Sequence, residues 1–98
     1  MKEKILVPGY DNLADVLDRA YMQAASGKGK ERHSDGKPFD RQPMQGILDL
    51  VGEGFALGQA IKKIQESQRM ETDAAVRELL GAIVYIAGAI IHKEAENG

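Results

Sequence analysis

The chain has 98 residues, of which 43% are apolar and 29% charged, enough for one compact core and too few for a two-domain enzyme with a separate cofactor module. Thirteen Lys and Arg against fifteen Asp and Glu give a net charge of -2, which argues against a duplex-DNA coat, a stable nucleic-acid partner or a polybasic membrane binder. Zero cysteines exclude disulfides, thiolate metal sites and cysteine nucleophiles, and two histidines cannot build a metal centre alone, so neither a cofactor nor a metal is expected.

Residues 1–11 read as an arm: Ile5, Leu6 and Val7 are strand-prone and Pro8-Gly9 interrupts them, which gives a short N-terminal strand or an ordered extension. MKEKILV is too short an apolar run for a secretory signal. Asn12 can cap a first helix, because Leu13, Val16, Leu17, Ala20, Tyr21 and Ala24 then recur on one face, and Ser26-Gly27 stops it. Residues 27–42 have no period, three glycines and one proline. A loop of 16 residues is long for so small a domain, where connections of about 4–6 are usual, and long loops tend to carry function.

Pro43 suits the first position of a second helix with Met44, Ile47, Leu48 and Val51 as its stripe, and Gly52 and Gly54 break it. A third helix starts around Phe55 with Leu57, Ala60, Ile61 and Ile64 inward. Polar Glu66 to Glu71 ends it, and Thr72 caps a fourth helix that buries Val76, Leu79, Leu80, Ile83, Ala87 and Ile90. The expectation is an all-α fold, a small bundle of about four helices forming a single helical domain over 1–98. A basic loop separates its first two helices, and a helical hairpin spans 55–92.

From Ile83 onward the fourth helix is apolar on nearly every side, with Val84, Ile86, Ala89 and Ile91 forming a second stripe. One core cannot use both faces, which predicts a homo-oligomer packed through residues 84–91; the alternative is that the first helix and the arm cover the second stripe. The longest apolar stretch, Leu79 to Ile91, has thirteen residues against the roughly 20 of a membrane span. No membrane partner is expected, and a cytoplasmic location is the simplest reading.

The loop concentrates positive charge. Lys28, Lys30, Arg32, His33, Lys37 and Arg41 are six potential cations within fourteen residues, against Glu31, Asp35 and Asp40. Lysine offers phosphate a point charge, arginine a planar fork, and glycines let backbone N–H groups approach an anion. Gly27-Lys28-Gly29-Lys30 suits a phosphate although it is not a P-loop. Phe39, and Tyr10 beside the first helix, are candidates to stack on a base, and His33 and Gln42 to add hydrogen bonds. The predicted ligand is a nucleotide or another phosphate-bearing small molecule. A solvated basic loop anchored by Phe39 is the plain alternative.

No catalytic residue stands out: His33 has no evident partner, and Ser26, Ser34 and Ser67 lack a base and an orienting acid. His92, in the last turn of the fourth helix, reads as a structural cation at the dipole's negative end. Asp15 and Asp18 are three apart, as in the paired carboxylates with which all-helical nucleotide pyrophosphohydrolases hold magnesium, but no second acidic pair faces them. A metal-dependent hydrolase is therefore the lesser reading. A third reading is a module whose 27–42 loop orders on a host protein to inhibit it.

The run GFALGQAIKKIQE, a polar turn and DAAVRELLGAIVYIAGAI resembles small helical bacteriophage proteins of unassigned activity, which often carry F-x-L-G-[NQ]-A-I-K-[YK]-I. The likeness covers residues 55–91. It implies a phage origin and a place in the cytoplasm of an infected bacterium. By analogy with the small cysteine-free helical oligomers of phages, it implies sequestration of a nucleotide immune signal, cyclic or derived from ADP-ribose, without cleavage.

Overall fold

A computed structural model describes residues 7–26 and 37–97, the side chain of Asn97 excepted. Residues 7–10 form a turn and not a strand: the Tyr10 N–H donates to the Val7 carbonyl at 3.1 Å around Gly9. This turn starts helix α1 (Asp11–Ala25) two residues earlier than a cap at Asn12 would, with Tyr10 in the cap position and its carbonyl accepting from Ala14. Ile5 and Leu6 lie outside the described residues, among which no strand occurs. At the other end Ser26 donates both its N–H, at 3.0 Å, and its hydroxyl, at 2.6 Å, to the Met22 carbonyl, so the last turn is closed from the side chain.

Of the expected loop, residues 27–36 lie outside the described residues. The rest holds a single 3-10 turn, Phe39–Arg41, leading into α2 (Pro43–Val51), which has proline in its first turn as expected. Gly52 closes α2: its N–H reaches the Leu48 carbonyl at 2.8 Å and its φ is +85°, a conformation costly for any residue with a Cβ. The chain turns there and enters α3 (Gly54–Ser67), then a turn over 68–71 and α4 (Thr72–Asn97). Glu71, not Thr72, caps α4; its carboxylate accepts from the Ala74 N–H at 3.0 Å, placing a negative charge against the helix's positive end.

Helix α4 is the axle on which α1, α2 and α3 all lean. Its α2 and α3 side is built for close approach. A Cβ at Gly88 would come within 2.5 Å of the end of the Met44 side chain, so glycine there leaves the room that the methionine tip fills. Leu48, wholly buried, packs with Ala56 and Ala89 under Met44, Phe55 and Tyr85, and the Phe55 and Tyr85 rings meet edge to face at 6.2 Å. Lys63 lies over Tyr85 and pairs with Glu78 at 3.3 Å, its stem covering the core edge.

Helix α3 is rotated from the expected orientation. Its buried residues are Ala56, Ala60 and Ser67, whereas Leu57, Ile61 and Ile64 are exposed, Ile61 to 67%. Where α3 meets α4, Ala56 joins Ala89 in the core cluster and Gly81 lies beside Lys63, while Tyr85 meets the Phe55 ring edge to face. Alanine at 56 fits closely there, and a leucine in its place would hold the two helices apart.

On its other side α4 meets α1, and Gln23 Nε2 donates to the Arg77 carbonyl at 3.1 Å across that contact. Val84, Ala87 and Ile91 belong to this side, so α1 takes up part of the second stripe within one chain. Of the 84–91 segment, Gly88 and Ala89 are buried within the chain, while Ile86 and Ile90 stay exposed and continue the exposed Leu79. By length and composition α4 is apolar enough to cross a membrane, with mean hydropathy 1.8 in its most apolar window, 22% of which is buried. A core helix and a span both meet that test.

Candidate functional site

Two features of the described residues have the chemistry of a site, one on each side of α4. The first is a cleft of about 880 Å³ between α1, α4 and the segment before α2, within the size range of small-molecule pockets. Leu17, Ala20, Tyr21 and Ala24 form its α1 wall, Ile83, Val84, Ala87 and Ile91 its α4 wall, and Pro38 and Phe39 line it from the segment before α2. Lys37 and Gln42 are its main polar lining. The Gln42 side-chain amide donates to the Lys37 carbonyl at 2.9 Å, bracing the 3-10 turn that presents Phe39. The arrangement offers a mostly apolar slot with a lysine and an amide side chain in its lining.

The structure thus brings together three residues expected to bind ligand: Lys37, Phe39 and Gln42. Arg41 shares the 3-10 turn but is exposed and does not line the cleft, and Tyr10, also exposed, precedes α1 at the end far from Ala24. Lys28, Lys30, Arg32 and His33 lie outside the described residues. Tyr21 and Leu17, which sequence reasoning assigned to the core stripe of α1, are instead half-exposed cleft residues.

The second feature centres on His92, which is only 8% exposed. Its Nε2 lies 3.1 Å from Asp49 Oδ1, on α2; its Nδ1 contacts Glu53 Oε2, in the residue between α2 and α3; and Glu96 Oε1, one turn on in α4, is 3.8 Å from Nδ1. Lys93 Nζ reaches the other Glu53 oxygen at 3.4 Å. The Gly52 turn is what swings Glu53 toward α4, four residues after Asp49 and onto the opposite edge of the same ring. Hydrogen bonding to Glu53 raises the imidazole above its ordinary value, against the opposing effect of desolvation and with help from the charges of Glu96, Glu53 and Asp49. The same bond lowers the Glu53 carboxyl, opposed by burial and assisted by Lys93.

His92 is therefore held between carboxylates from two other elements, a larger role than the helix-dipole cation expected from sequence. The paired spacings Asp49/Glu53 and His92/Glu96, each four apart, were the available signal. Glu53, His92 and Glu96 are the one group among the described residues whose donor atoms cluster closely enough to share an ion. Asp15 belongs to no such group and accepts from Arg19 Nε at 3.0 Å. No protein-family model, curated protein or solved structure matches the chain.

Proposed function

We propose that this protein is a non-catalytic binding protein that sequesters a phosphorylated nucleotide in the cleft between α1 and α4. One observation carries the reading: Lys37, Phe39 and Gln42, chosen from the sequence for charge, stacking and hydrogen bonding, line one cleft with Tyr21. Aromatic and aliphatic walls favour a base and its sugar, and a lysine in the lining favours a phosphate. The likeness of residues 55–91 to small bacteriophage proteins supports a phage-encoded protein acting in the host cytoplasm on a nucleotide signal. The exposed line of Leu79, Ile86 and Ile90 supports a second copy seated beside the cleft, since Ile83, between them on α4, is a cleft residue.

Calorimetric titration with AMP, a cyclic dinucleotide and ADP-ribose tests the reading, with the ligand recovered afterwards and checked by chromatography. Binding of one class with intact recovery is expected. Tyr21→Ala and Phe39→Ala each weaken it by roughly 5- to 150-fold, the range that loss of one stacked ring gives. No binding of any of the three at millimolar concentration overturns the reading, and conversion of the ligand replaces it with an enzyme.

A further inference from the structure

We propose that Glu53, His92 and Glu96 form a binding site for a first-row divalent transition-metal ion, with Asp49 as the residue that orients the histidine. The donor atoms, His92 Nδ1, Glu53 Oε2 and Glu96 Oε1, all lie within 4.8 Å of one another. An ion about 2.1 Å from each of three ligands needs them about 3.4 Å apart in tetrahedral geometry. Glu96 Oε1 already stands 3.8 Å from Nδ1, and Glu53 has only to back away from the contact in which it shares the Nδ1 proton.

Two further features match a metal site better than a plain ion pair. The first is the ring's orientation. Asp49 Oδ1 stands 3.1 Å from Nε2, so its charge favours keeping the proton on that nitrogen and leaves Nδ1, once its own proton is lost, as the lone-pair donor to an ion. Metal-bound histidines almost always carry such a partner on the other nitrogen.

The second is charge. Asp49, Glu53 and Glu96 supply three negative charges and Lys93 one positive, so around a neutral imidazole the cluster has an excess of two, which a divalent cation cancels and a single proton only halves. One nitrogen with carboxylate oxygens and no sulfur suits Zn²⁺, Co²⁺ or Mn²⁺ over Cu⁺, and the nitrogen disfavours Mg²⁺ and Ca²⁺. Three protein ligands leave positions for water on the side of exposed Glu96. Binding exchanges the Nδ1 proton of the imidazolium for the ion, so one proton leaves to solvent per ion bound wherever the ring starts protonated.

The test is titration of chelator-stripped, full-length protein with Co²⁺ and Zn²⁺, read by Co²⁺ d–d absorption and by calorimetry in buffers of different ionisation enthalpy. One ion per chain is expected, with proton release below the histidine's raised value, and no displacement by millimolar Mg²⁺ or Ca²⁺. Glu53→Gln and Glu96→Gln each weaken binding at least about 10-fold, and Asp49→Asn weakens it about 10- to 100-fold with the stoichiometry kept, the usual effect of removing an orienting partner. Glu96 is exposed near the helix end, so its variant keeps the test alive should Glu53→Gln fail to fold. Asp15→Asn and Asp18→Asn leave binding unchanged. Absence of saturable binding overturns the site, as does binding that survives Glu96→Gln and His92→Gln but disappears in His33→Gln.

Discussion

The two sides of α4 solve the same problem in opposite ways. Toward α2 and α3 the helix presents Gly88, Ala89 and Tyr85, receives Ala56, Phe55 and the fully buried Leu48, and ends in a charged cluster around His92. Toward α1 it presents larger aliphatics yet stays partly open, leaving a cleft and a row of exposed isoleucine and leucine. The closed side interleaves small residues with large ones, Leu48, Phe55 and Tyr85, that pack into one cluster, whereas the large aliphatics of the other side line a cleft. Large side chains fill space well only when a second surface closes over them, and within the chain α1 closes over only part of this open side.

That contrast can be broken most sharply at Leu48. As the one large side chain wholly out of solvent among the described residues, Leu48→Ala is expected to cost about 2–5 kcal/mol in urea unfolding; a cost below 1 would mean the closed side is not the protein's stability centre. Next comes Ala56→Leu, which enlarges a residue with no exposed surface and is expected to cost about 1–3 kcal/mol by overpacking against α4. Were α3 in truth turned with Leu57 inward, this change would be nearly neutral or stabilising.

A smaller effect should follow pH. In metal-free protein His92, raised by Glu53 and by the charges of Glu96 and Asp49, adds stability that is fully present below about 6.5 and lost as pH rises through its raised value. Glu53, lowered by His92 and Lys93, adds stability that is fully present above about 4.5 and lost as pH falls through its lowered value. The difference in thermal midpoint between the parent and His92→Gln should therefore be widest between these two values and narrow on both sides, and a difference independent of pH would show that the cluster is not charged as described. Smallest of all, Ile61→Ser on the outer face of α3 should alter unfolding by no more than about 0.5 kcal/mol in dilute protein. A loss of several kcal/mol would place that face in a contact between copies.

How far the sequence could be read follows the same division. The limits of α2 were legible because Pro43 and Gly52 act through their own backbones, and the long apolar helix from Thr72 was legible from period alone. The rotation of α3 was not. Of the expected stripe Leu57, Ala60, Ile61 and Ile64 only Ala60 is buried, because Ala56, Ala60 and Ser67 have equally helical spacing and the packing of the neighbouring helix, not hydrophobicity, selects between the two lines. Phe39 was visible as the single large apolar residue of its loop, whereas Tyr21 looked like core because its spacing was that of core. The His92 cluster joins residues 39 positions apart, and each half alone resembles an ordinary pair of charges on a helix surface.

The meeting of three elements on one imidazole also fixes how far along its own axis α4 can sit. A slide of four residues, about 6 Å, would bring Gly88 into the slot between Asp49 and Glu53, leaving the acids with nothing to bind. The same slide in the other direction would bring Glu96 there, a third acid against two. With Leu48 packed on Ala56 and Ala89 and the tip of Met44 over Gly88, this ring is a further notch that stops the helices at a single alignment.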